Sequence, residues 1–176
     1  MMEKTLVLIK PDALKKRIAG KIISRFEMVG LSLEKVRMTK PTRGIVEKHY
    51  PDDADWLRSI GEKTVDTYKE YNLDLMKDFD TAHPLEIGKQ IRNWLIKYIT
   101  SGSVIAIVIS GNHAVEVVRK MVGNTAPIFA GLGTIRGDFS IDSPDLADKE
   151  KRGMQNLVHA SGSIEEAKKE ISLWFS

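Results

Sequence analysis

The sequence has 176 residues, 42% of them hydrophobic, which fits one globular domain and disfavours two. It has no cysteine, so disulfides and thiolate metal sites are excluded. The formal net charge is only +3, a small surplus that does not indicate a nucleic-acid-binding face and that suits a negatively charged small ligand equally well. The N-terminal residues match neither a signal peptide nor a membrane span, so we expect a soluble, cytoplasmic protein.

The first predicted element is a strand. Residues 5–9, Thr-Leu-Val-Leu-Ile, are short, apolar and rich in β-branched side chains, a pattern typical of a central strand covered on both faces. Pro11 disfavours a helical backbone at Lys10, which places that lysine at the end of the strand. On position alone, the simplest interpretation of Lys10 is a solvated lysine that follows a strand.

Helix and strand patterns then alternate. Apolar residues recur at helical spacing from Ile18 to Val29 and stop at Gly30, which is a good helix C-cap. Residues 31–39 predict a half-exposed strand, and residues 42–50 predict a helix that ends before a proline.

The middle of the chain contains a polar segment. We interpret residues 52–83 as an insertion with short helices of its own, because their aromatic residues have irregular spacing. Residues 86–100 have the apolar face of a better helix, and residues 104–109 predict a buried strand. Residues 114–122 predict a further helix capped by a glycine.

The last part predicts a loop, a strand and a helix. Residues 142–152 are charged but lack the glycine and glutamate placement of a calcium loop, so a smaller insertion in the form of a solvated loop is expected. Residues 156–158 predict a short last strand, and residues 164–175 predict a helix. The element order favours one α+β domain over residues 1–176, with a sheet covered on one side.

The chain has no glycine-rich phosphate loop after its first strand. If it binds phosphates, side chains must therefore hold them. Each candidate alone is more often an ordinary surface residue, but all follow strands or helices or lie in loops, where sites form on a rigid sheet. The candidates are Lys10, Arg119, Arg136, Thr125 and Asn156.

His159 has a context that the other three histidines lack. It follows an apolar strand, while Ala160 and Gly162 leave room for a bulky group to approach. Glu170 lies eleven residues later, beside the apolar arc of the last helix, so its carboxylate could reach one imidazole nitrogen and leave the other free. A carboxylate-oriented imidazole is a known nucleophile arrangement. Spacing alone leaves open a strand-end histidine packed on the helix.

The chain resembles nucleoside diphosphate kinases over nearly its whole length. The resemblance rests on separated motifs that occur in the family's order. These motifs are Thr5 to Asp12, Gly123 to Pro127, Gly133 to Phe139, and Asn156 to Ser163 with the helix segment Glu170 to Phe175.

The resemblance implies a ferredoxin-like βαββαβ sandwich with a four-stranded antiparallel sheet and helices packed on it. It also implies a ping-pong reaction in which a nucleoside triphosphate such as ATP phosphorylates His159, and the phosphohistidine then phosphorylates a nucleoside diphosphate. Such a reaction supplies GTP, UTP, CTP and deoxynucleoside triphosphates. Because one site must accept every base in turn, a loose sandwich around the base is expected rather than hydrogen-bond readout.

The resemblance also assigns residues by matched position. Mg²⁺ would bridge the nucleotide phosphates, with no metal ligand from the protein. Tyr50 would stand near the histidine, and Ser161 with Glu170 would orient it. The residues that would contact phosphates and sugar are Lys10, Arg119, Thr125, Arg136 and Asn156.

Four features depart from the family pattern. Gly162 stands where the family usually has an acidic residue, and an ungapped count back from Trp94 places Ile91 at the position of the base-stacking aromatic. Residues 52–83 and 142–152 look like insertions relative to shorter members. The C-terminal extension that helps to hold hexamers in some members is absent after Ser176.

The expected partners are nucleoside triphosphates and diphosphates, with neither a membrane nor a specific nucleic acid. A homo-oligomer is expected, and the resemblance favours a hexamer. Two other hypotheses stay open at this stage. One is a binding module that keeps the nucleotide pocket without turnover, which Gly162 and the insertions suggest. The other is nucleic-acid binding on the sheet, although the interleaved basic and aromatic strand signature is missing.

Overall fold

The computed structural model of the protein describes residues 2–176. Its four antiparallel strands lie in the order β2-β3-β1-β4, so the predicted ferredoxin-like sheet is confirmed. The strands are β1 (Met2–Ile9), β2 (Ser32–Thr39), β3 (Val104–Asn112) and β4 (Val158–Ala160).

Helices form most of the remaining chain, and no helix within residues 2–176 is long and apolar enough to cross a membrane. The helices are α1 (Pro11–Lys15), α2 (Ala19–Met28), α3 (Arg43–His49), α4 (Ala54–Glu70), α5 (Leu75–Phe79), α6 (Pro84–Thr100), α7 (Ala114–Val122), α8 (Ile135–Phe139), α9 (Pro144–Lys149) and α10 (Ile164–Phe175), and a 3-10 turn spans Pro127–Phe129.

Helices cover both faces of the sheet. Val7 and Ile9 of β1 pack against α2 and α7, while Leu6 and Leu8 pack against α3, α6 and α10. The prediction of a sheet covered on one side was therefore wrong. The physical reason is visible in β1 itself, whose apolar residues do not alternate with polar ones and so require burial on both faces.

The segment 52–83 contains one long helix, so the prediction of short helices holds only for α5. Helix α4 has 17 residues and packs along α6 at a very close crossing. A Cβ atom at Gly61 would lie 1.9 Å from the carbonyl oxygen of Pro84, and one at Gly88 would lie 2.0 Å from that of Leu57. The buried residues of α4, which are Leu57, Gly61 and Tyr68, do recur at helical spacing, and the prediction of irregular spacing from the aromatic residues alone missed it.

Residues 142–152 do not form the solvated loop that the charge pattern predicted. They contain α9, and the Arg152 guanidinium donates hydrogen bonds to both carboxylate oxygens of Asp142, at 2.7 and 2.8 Å. Asp142 also accepts a hydrogen bond from the backbone N–H of Gln155 at 2.6 Å. This buried carboxylate closes the segment on itself, which explains why a run of charged residues is ordered.

The helix crossing yields a test of the fold. We expect Gly61→Ala to destabilise the protein by about 1–3 kcal/mol, because the added methyl group overlaps the Pro84 carbonyl. Gly20→Ala in α2 is the matched control: a Cβ there meets nothing within 4 Å, and the better helix propensity of alanine should stabilise by up to ~1 kcal/mol. Urea unfolding measures both. Equal effects of the two substitutions would contradict the close crossing.

Candidate active site

A cavity of about 490 Å³ opens at the end of β1 and β4. It brings together most of the residues that the sequence singled out, although they come from distant parts of the chain. Ser161 is fully buried just behind its wall. The predicted residues that line the cavity are Lys10, Tyr50, Arg119, Thr125, Arg136, Asn156, His159 and Glu170.

A backbone kink before β4 positions two of these side chains. Leu157 has a left-handed φ of 68°, its N–H donates to Asp12 Oδ2 at 3.0 Å, and its carbonyl accepts from the N–H of Lys10 at 2.8 Å. The kink ends regular pairing, so β4 begins at Val158 and not at Asn156 as predicted. Asn156 is left with its side chain beside Lys10, whose ammonium donates to Asn156 Oδ1 at 2.6 Å.

The cavity wall is strongly cationic. Lys10 is only 4% exposed, and burial, together with the charge of Arg136, lowers its pKa to about 7. Arg136 donates to the backbone carbonyls of Gly123, Asn156 and Val158 at 3.0, 3.1 and 2.6 Å. These carbonyls hold a buried guanidinium without neutralising it, so the cavity has a surplus of positive charge that suits an anion.

His159 is oriented by hydrogen bonds. Its Nε2 lies 2.7 Å from Glu170 Oε1, and the Ser161 hydroxyl donates to Glu170 Oε2 at 2.5 Å. Because the carboxylate of Glu170 accepts the hydrogen bond, Nε2 must carry the proton and Nδ1 the lone pair. Nδ1 has no hydrogen-bond partner in the described part of the chain. Burial, together with Lys10, lowers the pKa of His159 to about 3, so the imidazole is neutral at physiological pH.

His49 is a member of this cluster that the sequence did not single out. It ends α3, and its ring packs edge-on against that of His159 with centroids 4.5 Å apart. Its Nδ1 accepts a hydrogen bond from Trp174 Nε1 at 3.3 Å and lies 3.3 Å from Glu170 Oε1. Only its place beside Tyr50 could have drawn attention to it. The two remaining histidines, His83 and His113, are exposed.

The His49, His159 and Glu170 side chains offer possible metal-ligand atoms within 4.8 Å of one another. The charges of Lys10 and Arg136 beside them oppose a bound cation. We therefore interpret the cluster as a means of orienting His159.

Tyr50 contacts the same cluster through its ring, which lies 4.7 Å from that of His49. Burial, and then the charge of Glu170, raises its pKa well above the ordinary value, so its hydroxyl keeps its proton. Arg92 fixes the backbone at the end of α3, because its Nε donates a hydrogen bond to the Tyr50 carbonyl at 2.8 Å.

The unusual Gly162 has an acidic neighbour in space. Glu166, on the first turn of α10, folds back so that its Oε2 accepts a hydrogen bond from the Gly162 N–H at 2.6 Å. A Cβ atom at Gly162 would lie 2.6 Å from that oxygen and 3.5 Å from Arg119 Nη1. A carboxylate therefore lies beside position 162, although the residue at that position has none.

A second cavity, of about 480 Å³, adjoins the first. Ile91 lines this second cavity and does not line the first, so it lies apart from His159. The two cavities share Ile60, Leu95, Asn124, Thr125 and Asn156.

A neutral imidazole with one fixed and one free nitrogen, facing a cation-lined cavity, is an arrangement suited to phosphoryl transfer. Comparisons with known proteins agree. A family model described as "Nucleoside diphosphate kinase" matches residues 3–58 and 76–176. A relative of that name from Pyrobaculum aerophilum is 49% identical over 174 residues, which cover 99% of this chain and 95% of the relative.

Solved structures give the same result. A crystal structure of an NDP kinase from Pyrobaculum aerophilum matches with a TM-score of 0.95 and 46% identity, covering 100% of this chain and 97% of that one. A transition state mimic of the nucleoside diphosphate kinase from Borrelia burgdorferi, with bound vanadate and ADP, matches with a TM-score of 0.79 and 31% identity, covering 99% and 88%.

The chain belongs to the nucleoside diphosphate kinase family, whose enzymes transfer phosphoryl groups between nucleotides and need a divalent metal. The family model leaves residues 59–75 unmatched, and these lie inside the predicted insertion 52–83. It does match residues 142–152, the smaller predicted insertion. The bounds of both insertions stay predictions.

The lowered pKa of Lys10 yields a second test. At pH 8.5 its amine is largely neutral in the free protein, and a bound polyphosphate should raise its pKa again, so binding should take up close to one proton per nucleotide. Isothermal calorimetry in two buffers with different ionisation enthalpies measures that uptake. It should vanish in Lys10→Met and persist in Lys21→Met, which changes an exposed lysine of α2. Uptake that survives in Lys10→Met would contradict the assignment.

Proposed function

We propose that this chain is a nucleoside diphosphate kinase in which His159 carries the phosphoryl group. One observation supports this proposal above all others. The Nε2 of His159 is held 2.7 Å from Glu170, while its Nδ1 is left free at a cavity lined by Lys10, Arg119 and Arg136.

In the first half-reaction, Nδ1 of His159 attacks the γ-phosphorus of a nucleoside triphosphate. The bond from that phosphorus to the β,γ-bridging oxygen breaks, and the nucleoside diphosphate leaves with the electron pair. In the second half-reaction, a terminal phosphate oxygen of another nucleoside diphosphate attacks the same phosphorus, and the bond to Nδ1 breaks. Lys10, Arg119 and Arg136 would offset the charge on the phosphoryl oxygens in both directions.

Glu170 would act through His159 and not on the phosphate. As Nδ1 bonds to phosphorus, the imidazole gains positive charge, and a carboxylate 2.7 Å from Nε2 stabilises that charge. The Ser161 hydroxyl holds the other carboxylate oxygen, so the ring keeps one orientation throughout the cycle. Tyr50 and His49 would complete the wall against which the ring packs.

The metal would be Mg²⁺ that arrives on the nucleotide, where it helps to neutralise the phosphate charge. The donor set of the cavity fits this mode of binding. Its two carboxylates, Glu166 and Glu170, already accept hydrogen bonds from the protein, so they are not free to form a cage of their own. Mg²⁺ commonly keeps several waters and binds through substrate phosphates.

The second cavity would receive the base. It adjoins the cationic cavity through Thr125 and Asn156, so a nucleotide could place its phosphates in one and its base in the other. Ile91 and Leu95 from α6 and Ile60 from α4 offer aliphatic walls where the family uses an aromatic ring. The predicted contact of Ile91 with the nucleotide would thus be a contact with the base.

We also propose that the chain forms a homo-oligomer. Strand β2 is an edge of the sheet, and its side chains Val36 and Met38 are 55% and 65% exposed. Exposed apolar side chains on an edge strand favour pairing with another chain. The hexamer stays a prediction from the family resemblance.

Labelling with γ-³²P-ATP tests the mechanism. The wild type should form an acid-labile, alkali-stable protein phosphate, and His159→Ala should form none, because the attacking nitrogen is gone. His83→Gln, which changes an exposed histidine, should label as the wild type does. Label in His159→Ala would refute the assignment, and nucleotide binding without label in the wild type would favour a binding module.

The burial of His159 predicts its titration. An ordinary histidine gains a proton near pH 6.5, but a pKa of about 3 keeps this imidazole neutral and reactive far below that pH. The imidazole resonances of His159, followed by NMR, should therefore show no protonation between pH 8 and pH 5. A midpoint near pH 6.5 would show that burial and Lys10 do not control this side chain.

A further inference from the structure

Part of the second cavity is built from residues outside the family pattern. Helix α4 contributes four residues to the wall of that cavity, and all four lie within the segment 59–75 that the family model leaves unmatched. Their spacing of three and four positions places them on one face of the helix. They are Ile60, Lys63, Thr64 and Thr67. The segment 59–75 therefore borders the second cavity directly.

Another part of the wall is Phe129, at the end of the 3-10 turn. This turn follows Asn124 and Thr125, two loop residues that line both cavities. The N–H of Phe129 donates a hydrogen bond to the carbonyl of Ala126 at 3.0 Å. The position of the turn is thus linked to that of the loop that carries Thr125.

A ring contact joins the segment 59–75 to this turn. The rings of Tyr71 and Phe129 are stacked, with centroids 5.6 Å apart and planes inclined by 15°. Such pairs attract each other beyond the effect of the area that they bury. Tyr71 follows the last residue of α4 and lines neither cavity, so any effect on a ligand must pass through Phe129.

The backbone around Tyr71 is well fixed. Its N–H donates to the Thr67 carbonyl at 3.1 Å. Asn72 then adopts a left-handed φ of 52°, and the N–H of Leu73 donates to the carbonyl of the buried Tyr68 at 2.9 Å. These contacts are those of a regular helix end. Tyr71 therefore presents its ring from a helix end anchored in the core, whereas Phe129 belongs to a short turn between loops.

We propose that Tyr71 is a positioning residue that holds Phe129 in the wall of the nucleotide site, so that the segment 59–75 takes part in substrate binding. The inference rests on the proposed function, because it requires the base of the nucleotide in the second cavity. A phenyl ring makes apolar contacts and carries no hydrogen-bonding group, so its contribution should be similar for every base. The proposal is therefore compatible with a site that accepts all bases.

Binding of nucleoside diphosphates to the unphosphorylated protein, measured by isothermal calorimetry, tests the proposal without turnover. Tyr71→Ala should weaken ADP, GDP, CDP and UDP by the same factor, about three- to tenfold, the order expected for one aromatic pair. Pyrophosphate, which has no base to place in the second cavity, should bind to the variant and the wild type equally. That equality also shows that the variant is folded.

Two further variants separate positioning from a general effect of the substitution. Tyr71→Phe keeps the stacked ring and should bind as the wild type does. Leu73→Ala truncates a nearby exposed side chain that lines neither cavity, and it should also leave binding unchanged. Hydrogen exchange of residues 126–130 in the nucleotide-free protein should be faster in Tyr71→Ala and unchanged in Tyr71→Phe, because the turn has lost its support.

Several results would overturn the inference. They are an unchanged affinity or unchanged exchange in Tyr71→Ala, a loss confined to one base, a loss that extends to pyrophosphate, and a failure of Tyr71→Phe to restore binding. Failure of the wild type to form a phosphoenzyme would overturn the proposed function instead. Failure of the wild type to bind any nucleoside diphosphate would overturn both.

Discussion

The buried carboxylate of Glu170 is the group on which the arrangement of the site depends. It is only 7% exposed, and burial raises its pKa, so it must be compensated by donors. Those donors are the Ser161 hydroxyl and the Nε2–H of His159. Because the same carboxylate lies on α10 while both donors lie in or beside β4, it determines how the last helix docks and which imidazole nitrogen remains free.

The buried cationic side chains of the site differ from Glu170, because the described residues do not pair their charge with an opposite one. Burial and the charge of Arg136 lower the pKa of Lys10, and burial and the charge of Arg119 lower the pKa of Arg136. Within residues 2–176, no carboxylate forms an ion pair with Lys10 or Arg136. Backbone carbonyls and Asn156 hold them through dipoles. A fold that crowds like charges in this way gives up stability to prepare a site for an anion, and the ligand provides the missing charge.

Part of the fold and part of the site could be predicted from the sequence. Continuous apolar runs predicted the central strands, and the spacing from His159 to Glu170 predicted their contact, because both signals are local or follow helix geometry. His49 escaped notice because only the tertiary fold brings the end of α3 to α10. Glu166 was missed for a related reason. Its carboxylate reaches the N–H of Gly162 only because the backbone turns between β4 and α10. Site roles carried over by resemblance stay predictions until tested.

The glycine contact between α4 and α6 has a consequence for the shape of the second cavity. These two helices carry Ile60, Ile91 and Leu95, so the distance between them determines the width of the cavity proposed for the base. Gly61 and Gly88 hold the helices at the shortest separation that their backbones allow. Two residues that lack side chains, and that do not line either cavity, would thereby set the width of the slot in which a planar base could lie.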